Sequence, residues 1–261
     1  MKYLSLFKTC FKIGVINTTA YRGNFVLQLF QSCISLASAL IGFSVIFLHA
    51  QTLNGWDYDE MLVVVAIYFL TGGILNFMIK PNMVLLMNNI WDGNLDYWLL
   101  KPVYSQLLLS MRKLEIWRIF DILAGLVVLG IVFSHLGPRL TLTGSFFFAL
   151  TFLLGISVVY SFYLMLTTIA FWTVKLENLP LLFQSLFDTG RWPVSLYPLW
   201  LRLSLVVIVP VAVAITIPSQ MLVGNFSWPI VLGGLVFSCA MFTFACWFWR
   251  FGVRSYTGAS S

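Results

Sequence analysis

Apolar residues fill six stretches of this chain with little interruption, at about 25–49, 61–78, 120–136, 144–174, 204–218 and 228–249. A helix needs roughly 20 mostly apolar residues to cross a hydrocarbon core about 30 Å thick. The pattern predicts an all-α membrane protein with six transmembrane helices, a single transmembrane domain over residues 1–261. The stretch 144–174 is long for one crossing; tilting, or continuing beyond the bilayer, would each accommodate it. The stretch 204–218 is short and contains Pro210, which predicts a kink or a broken helix.

Residues 1–22 follow a different rhythm. Leu4, Phe7, Phe11 and Val15 recur at helical spacing, while Lys8 and Lys12 share another face. This predicts an amphipathic interfacial helix lying on membrane lipid; a disordered basic tail is the competing reading. Composition supports the membrane assignment, because only 9% of residues are charged against about 25% in soluble domains. With the N-terminus inside, fourteen of the fifteen Lys and Arg residues fall on the inner side, Arg139 excepted. That bias predicts that both termini are cytoplasmic. It accounts for the net charge of +6 with no nucleic-acid partner. The outer connections are short, whereas residues 80–118 form a long cytoplasmic one.

The side-chain inventory argues against an enzyme. His49 and His135 are too few for a metal centre, and neither a nucleophile elbow nor a phosphate-binding loop is present. Asp57, Asp59 and Glu60 read as a solvated acidic loop. Asp121 follows Arg118 by one helical turn, as an interfacial ion pair or a proton relay. Arg202, at the start of the fifth stretch, needs only to snorkel. The four cysteines, Cys10, Cys33, Cys239 and Cys246, read as small packing residues. Trp56, Tyr58, Trp98, Trp247 and Trp249 lie near the expected membrane boundaries, as interfacial aromatics do.

One polar interruption has a distinct form. In Ile90–Val103, IWDGNLDYWLLKPV, Gly93 suits the left-handed conformation that ends a helix, Asn94 suits an N-cap and Asp96 the first turn of a new helix. The residue before Pro102 resists helical geometry. The stretch predicts a one-turn helix exposing Leu95, Trp98 and Leu99, rimmed by Asp92, Asp96 and Lys101. A groove on a partner, or an interface anchored by aromatics, would each suit it.

The series Gly93, Leu95, Asp96, Leu99, Pro102, Val103 resembles a pattern in membrane subunits of type-2 ATP-binding-cassette transporters. There it lies in the cytoplasmic connection between spans two and three, its position here. The whole chain is similar to the compact permease branch of that class, with its six spans and basic amphipathic start. Tyr104 stands where Ser commonly follows Pro-Val, with Ser105 one place later, which leaves open any contact by that hydroxyl.

The resemblance implies a non-catalytic permease, in the inner membrane of the cell, that pairs with an identical or related permease. Two cytoplasmic ATPase subunits would hold ATP and Mg, with no cofactor or metal in this chain. Residues 92–102 would form a coupling helix, with Leu99→Asp abolishing ATPase stimulation, and motion passed through it and the N-terminal helix would drive a path usually used for export. Because spans two and five commonly line that path, Thr71 and Asn76 become candidates for its wall, interhelical hydrogen bonding being the other reading. An ion-gradient-driven transporter or channel and a membrane scaffold are the rival functions. The first would transport without ATP, and the second would bind partners with no nucleotide-dependent change.

Overall fold

The computed structural model describes residues 2–20, 22–101, 105–137, 141–173, 179–207, 209–224 and 227–256. Among these residues the chain is helical, with one isolated bridge, Leu53 to Trp56, outside the helices. The N-terminal half holds α1 (Lys2–Ala20), α2 (Arg22–Phe47), α3 (Tyr58–Ile74), α4 (Lys80–Trp91), α5 (Asp96–Leu99) and α6 (Ser105–Ser110). The remainder holds α7 (Ile119–Leu136), α8 (Leu142–Ile169), α9 (Leu179–Asp188), α10 (Leu199–Val207), α11 (Val211–Ala214), α12 (Thr216–Leu222) and α13 (Trp228–Ser255). Five helical runs are long and apolar enough to cross a membrane, or six if the bent pair over 199–222 counts as one.

The core is built on α3, buried continuously from Met61 to Gly73. Helix α7 meets it at backbone distance. A Cβ on Gly125 would lie 2.8 Å from the Ala66 carbonyl oxygen, and one on Gly73 would lie 2.9 Å from the Ile122 nitrogen. Between helices in lipid, where the hydrophobic drive is weak, such close approach supplies dispersion contacts. Asp57, Asp59 and Glu60 are less a loop than the start of α3. The Asp57 N–H donates to Glu60 at 3.1 Å, and the acids complement the positive helix end. Trp56, expected as an interfacial anchor, is buried and donates to the Ser195 hydroxyl at 3.0 Å. Trp249 is buried too, while Cys33 and Cys239 are exposed rather than packed inside.

The second span does not stop at residue 78. Helix continues from Tyr58 to Trp91 through a π-helical turn at Leu75–Ile79. Pro81 has no N–H, so the Phe77 carbonyl loses its helical donor. The Glu115 N–H donates to that carbonyl instead, at 2.9 Å. Asn82 completes a clamp. Its amide donates to the Lys113 carbonyl at 2.7 Å, and its oxygen accepts from the Lys113 N–H at 2.7 Å. Residues 80–91 are therefore a helix with Asn82, Met83, Leu86, Met87 and Ile90 buried.

Residues Lys2–Ala20 form helix α1, which contains Leu4, Phe7, Lys8, Phe11 and Lys12, the Leu4 side chain lying outside the described residues. It rests on the clamped segment: a Cβ on Gly14 would lie 2.9 Å from the Leu114 carbonyl oxygen. Gly14 and Thr18 are buried there, while Phe11 and Val15 remain exposed.

The expected fifth span, 204–218, falls within a bent pair of helices, as the proline predicted. Residues 199–222 bend by 69° near Pro210. Ser195, just before the bend, bonds Asn54 and Trp56 at the start of α3. Val213 and Ala214 lie against Gly155, well inside the bundle, and Met221 lies against Gly144, near the start of α8. The segment thus enters and leaves at the same end of the bundle. Residues 179–195 run along the bundle to reach that end. Phe183 packs on Phe162, about 30 Å along α8 from its start, Phe187 meets Gly72, and Ser195 reaches the Trp56 end. Hydropathy did not mark this segment because Gln184, Asp188, Arg191 and two prolines interrupt it.

This topology predicts that, in a cysteine-free background, Trp200→Cys and Asn54→Cys react with a membrane-impermeant maleimide from one side, and Lys113→Cys from the other. Labelling of Trp200→Cys together with Lys113→Cys would refute the hairpin.

Candidate functional site

Two features concentrate polar chemistry: the 92–101 turn and a chamber beside α3. Helix α4 ends in a Schellman motif. Gly93 has φ +70°, its N–H donates to the Ile90 carbonyl at 3.3 Å, and the Asn94 N–H donates to the Asn89 carbonyl at 2.9 Å. Asn94 therefore finishes one helix by its backbone instead of capping the next. Leu95, at the N-cap of α5, has near-helical backbone angles.

The exposed set also differs from the expected one. Leu95 is fully buried, and Trp98 and Leu99 pack against the core. The side chains presented outward are Asp92, Asn94, Asp96, Tyr97 and Leu100, with Tyr97 65% and Leu100 84% exposed. Trp98 is held between two cations, Lys101 Nζ at 3.9 Å and the Arg112 guanidinium at 3.7 Å from the ring centroid. Helical periodicity located the turn, but only the tertiary fold decides which face the one-turn helix turns inward. Pro102 lies outside the described residues.

The second feature is a cavity of about 240 Å³ between α2, α3, α7 and α9. Tyr68 donates to Asp188 at 2.7 Å, and the Gln184 amide donates to the same carboxylate oxygen at 3.2 Å. Gln184 in turn accepts from Lys80 Nζ at 2.8 Å. The Arg191 guanidinium lies 5.2 Å from the centroid of the Tyr68 ring and 3.5 Å from the Ser35 hydroxyl. Arg118 and Asp121 pair at 3.1 Å on the far wall. Charges this deep need partners, and most here have them.

Of the two path candidates, Asn76 lines this cavity and donates to the Gly72 carbonyl at 2.9 Å. Thr71 does not line it. It is buried, with its hydroxyl 3.5 Å from the Ala214 carbonyl oxygen at the break between α11 and α12. The sequence reading missed Tyr68, Lys80, Gln184, Asp188 and Arg191. The signal available was Leu179–Pro193, LPLLFQSLFDTGRWP, an apolar run whose two charged residues stand three apart.

A family model described as ABC-2 family transporter protein matches residues 33–260. No curated protein and no solved structure matches the chain.

The backbone motif separates two neighbours by mutation. Gly93→Val must hold a β-branched residue at φ +70° and should destabilise the turn by about 1–2 kcal/mol, read as faster chymotryptic cleavage after the exposed Tyr97. Asn94→Ala, which keeps the backbone donor, should leave the cleavage rate within about twofold of the parent. Equal sensitivity of the two would restore an N-cap role for Asn94.

Proposed function

We propose that this chain, which belongs to the ABC-2 family of transporter proteins, is the non-catalytic permease subunit of an exporter driven by separate ATPase subunits. It works as a pair with an identical or related permease, in the inner membrane, with both termini cytoplasmic and the whole chain acting as one transmembrane domain. ATP and Mg belong to the ATPase partners. The family match over residues 33–260 carries the reading. Two further observations support it. The 92–101 turn, α1 and the clamped segment at Lys113 all lie at the end of the bundle where most Lys and Arg residues gather. Arg191 and Arg202, now away from that end, leave the positive-inside bias intact.

In this proposal the turn from Asp92 to Lys101, with Pro102 beyond it, is the element that an ATPase subunit grips, and α1 is its neighbour on the lipid surface. Gly93 and Asn94 fix the entry, and Leu95, Trp98 and Leu99 root the turn in the core. Asp92, Asp96, Tyr97 and Leu100 form the outward face. Helix α1 supplies lipid contact through Leu4, Phe7, Phe11, Lys8 and Lys12. Asn76 stands on the substrate path and Thr71 close behind it.

The test is affinity purification from native membranes, which should bring down an ATPase with a phosphate-binding loop and a second permease copy or relative. Leu100→Asp, at an exposed position, should reduce ATPase stimulation in the purified complex by about tenfold or more, as expected when an interface anchor is replaced by a charge. Membrane insertion should be unchanged. Leu99→Asp would place a charge against the core and should instead lower the yield of folded protein. Normal coupled hydrolysis in the Leu100→Asp complex would refute the assignment of the outward face.

A further inference from the structure

The chamber beside α3 has more donors than acceptors. Its wall carries three cations, Lys80, Arg118 and Arg191, against two carboxylates, Asp121 and Asp188. The carboxylates are served: Asp188 accepts from Tyr68 and Gln184, and Asp121 accepts from Arg118. The guanidiniums are served only in part. Arg118 and Arg191 each keep a buried Nε–H with no acceptor among the described residues. Arg191 otherwise meets two hydroxyls, Tyr68 through a side-chain hydrogen bond and Ser35 at 3.5 Å. Lys80 and Arg118 also face each other closely enough to repel. Together they line a second cavity of about 340 Å³ that extends past Lys113 and Glu115. Part-buried like charges with unmet N–H groups are costly, and an anion bonded by both guanidiniums removes that cost.

The wall formed by α2 says where the rest of such a molecule would lie. Gln31, Ser32 and Ser35 line the chamber, while Leu27, Phe30 and Ile34 of the same turns are exposed on the outside of the bundle. A molecule with one anionic and one apolar end would meet both surfaces. At about 240 Å³ the chamber falls below the roughly 300–1,000 Å³ of sites that enclose drug-sized ligands. It suits a headgroup rather than a whole amphiphile.

We propose that this chamber binds an anionic group, a phosphate or carboxylate, through Arg191 and Arg118, with Lys80 between it and the second cavity. The proposal names the class of molecule handled by the permease and rests on that reading for its purpose. Binding itself needs neither nucleotide nor an ATPase, so it fails or succeeds separately from the permease assignment.

The test uses the purified full chain in neutral maltoside micelles, with folding checked by gel filtration. Calorimetric titration with dodecyl phosphate should show saturable binding, weakened about tenfold or more in Arg191→Gln and in Arg118→Gln, as for loss of a charge-assisted hydrogen bond. Arg191→Lys should retain more affinity than Arg191→Gln. If loss of the partner of Asp121 keeps Arg118→Gln from folding, Lys80→Gln replaces it with the same expected direction. Inorganic phosphate binding at the same site supports a free anion as the ligand, and binding of dodecyl phosphate alone supports a lipid-like headgroup. Equal dodecyl phosphate affinity in the parent and the variants, or tighter binding of dodecyltrimethylammonium, would overturn the proposal.

Discussion

A proline inside a membrane helix leaves a carbonyl that hydrocarbon cannot satisfy. Pro81 creates that problem at Phe77, and the Glu115 N–H answers it. Much of the architecture depends on this exchange. Because residue 115 must come to α4, the chain after α6 folds back and is locked in place by Asn82. The locked segment provides the surface on which α1 rests through Gly14. It also sets the start of α7, which brings Arg118 to the cavity wall opposite Tyr68 and Asp188. The π-helical turn before Pro81 carries Asn76, whose side chain bonds the Gly72 carbonyl.

The segment at 179–195 obeys the same rule by other means. It is helical only to Asp188, followed by short 3-10 turns at Thr189–Arg191 and Val194–Leu196. Irregular backbone at this depth is tolerated where it is buried in protein or lines a polar cavity. Both conditions hold here. Gly190 lets the turn press against Val211 and Ile215, where a Cβ would overlap their side chains. Asp188 and Arg191 open onto the chamber. The bent segment over 199–222 then packs Val213 and Ala214 against Gly155 on its far side, so the broken segment is enclosed by protein.

How much of this the sequence disclosed follows from what hydropathy measures. Uniformly apolar helices such as α2, α8 and α13 are found within a few residues, because every position counts toward the same average. The bend at Pro210 was legible from one residue whose chemistry is local. What pattern could not reveal is polarity that is buried and paired. Lys80, Asn82, Asp188 and Arg191 look like solvent-facing residues until their partners are known, and those partners are remote in sequence: Gln184 for Lys80 and Lys113 for Asn82. The turn at Gly93 was legible for the same reason as Pro210, since a left-handed glycine is a local requirement. The orientation of Leu95 against the core was not, because a one-turn helix carries too few positions to define a face.

The two polar features are not mechanically independent. Helix α4 runs from Lys80, on the chamber wall, to Trp91, about 18 Å at helical rise. The Schellman turn then leads directly into α5. A second connection runs through the clamped segment. Arg112 stacks on Trp98 of α5, and six residues later Arg118 lines the chamber, with Asn82 and Phe77 fastening the chain between them to α4. Both routes converge on Lys80 and Arg118, the cations that stand between the two cavities. Close-packed interiors transmit displacement with little loss. If an ATPase moves the 92–101 turn, both links run from it to the side chains proposed to hold and release an anion. Energy supplied at one end would then act on binding at the other through these two links.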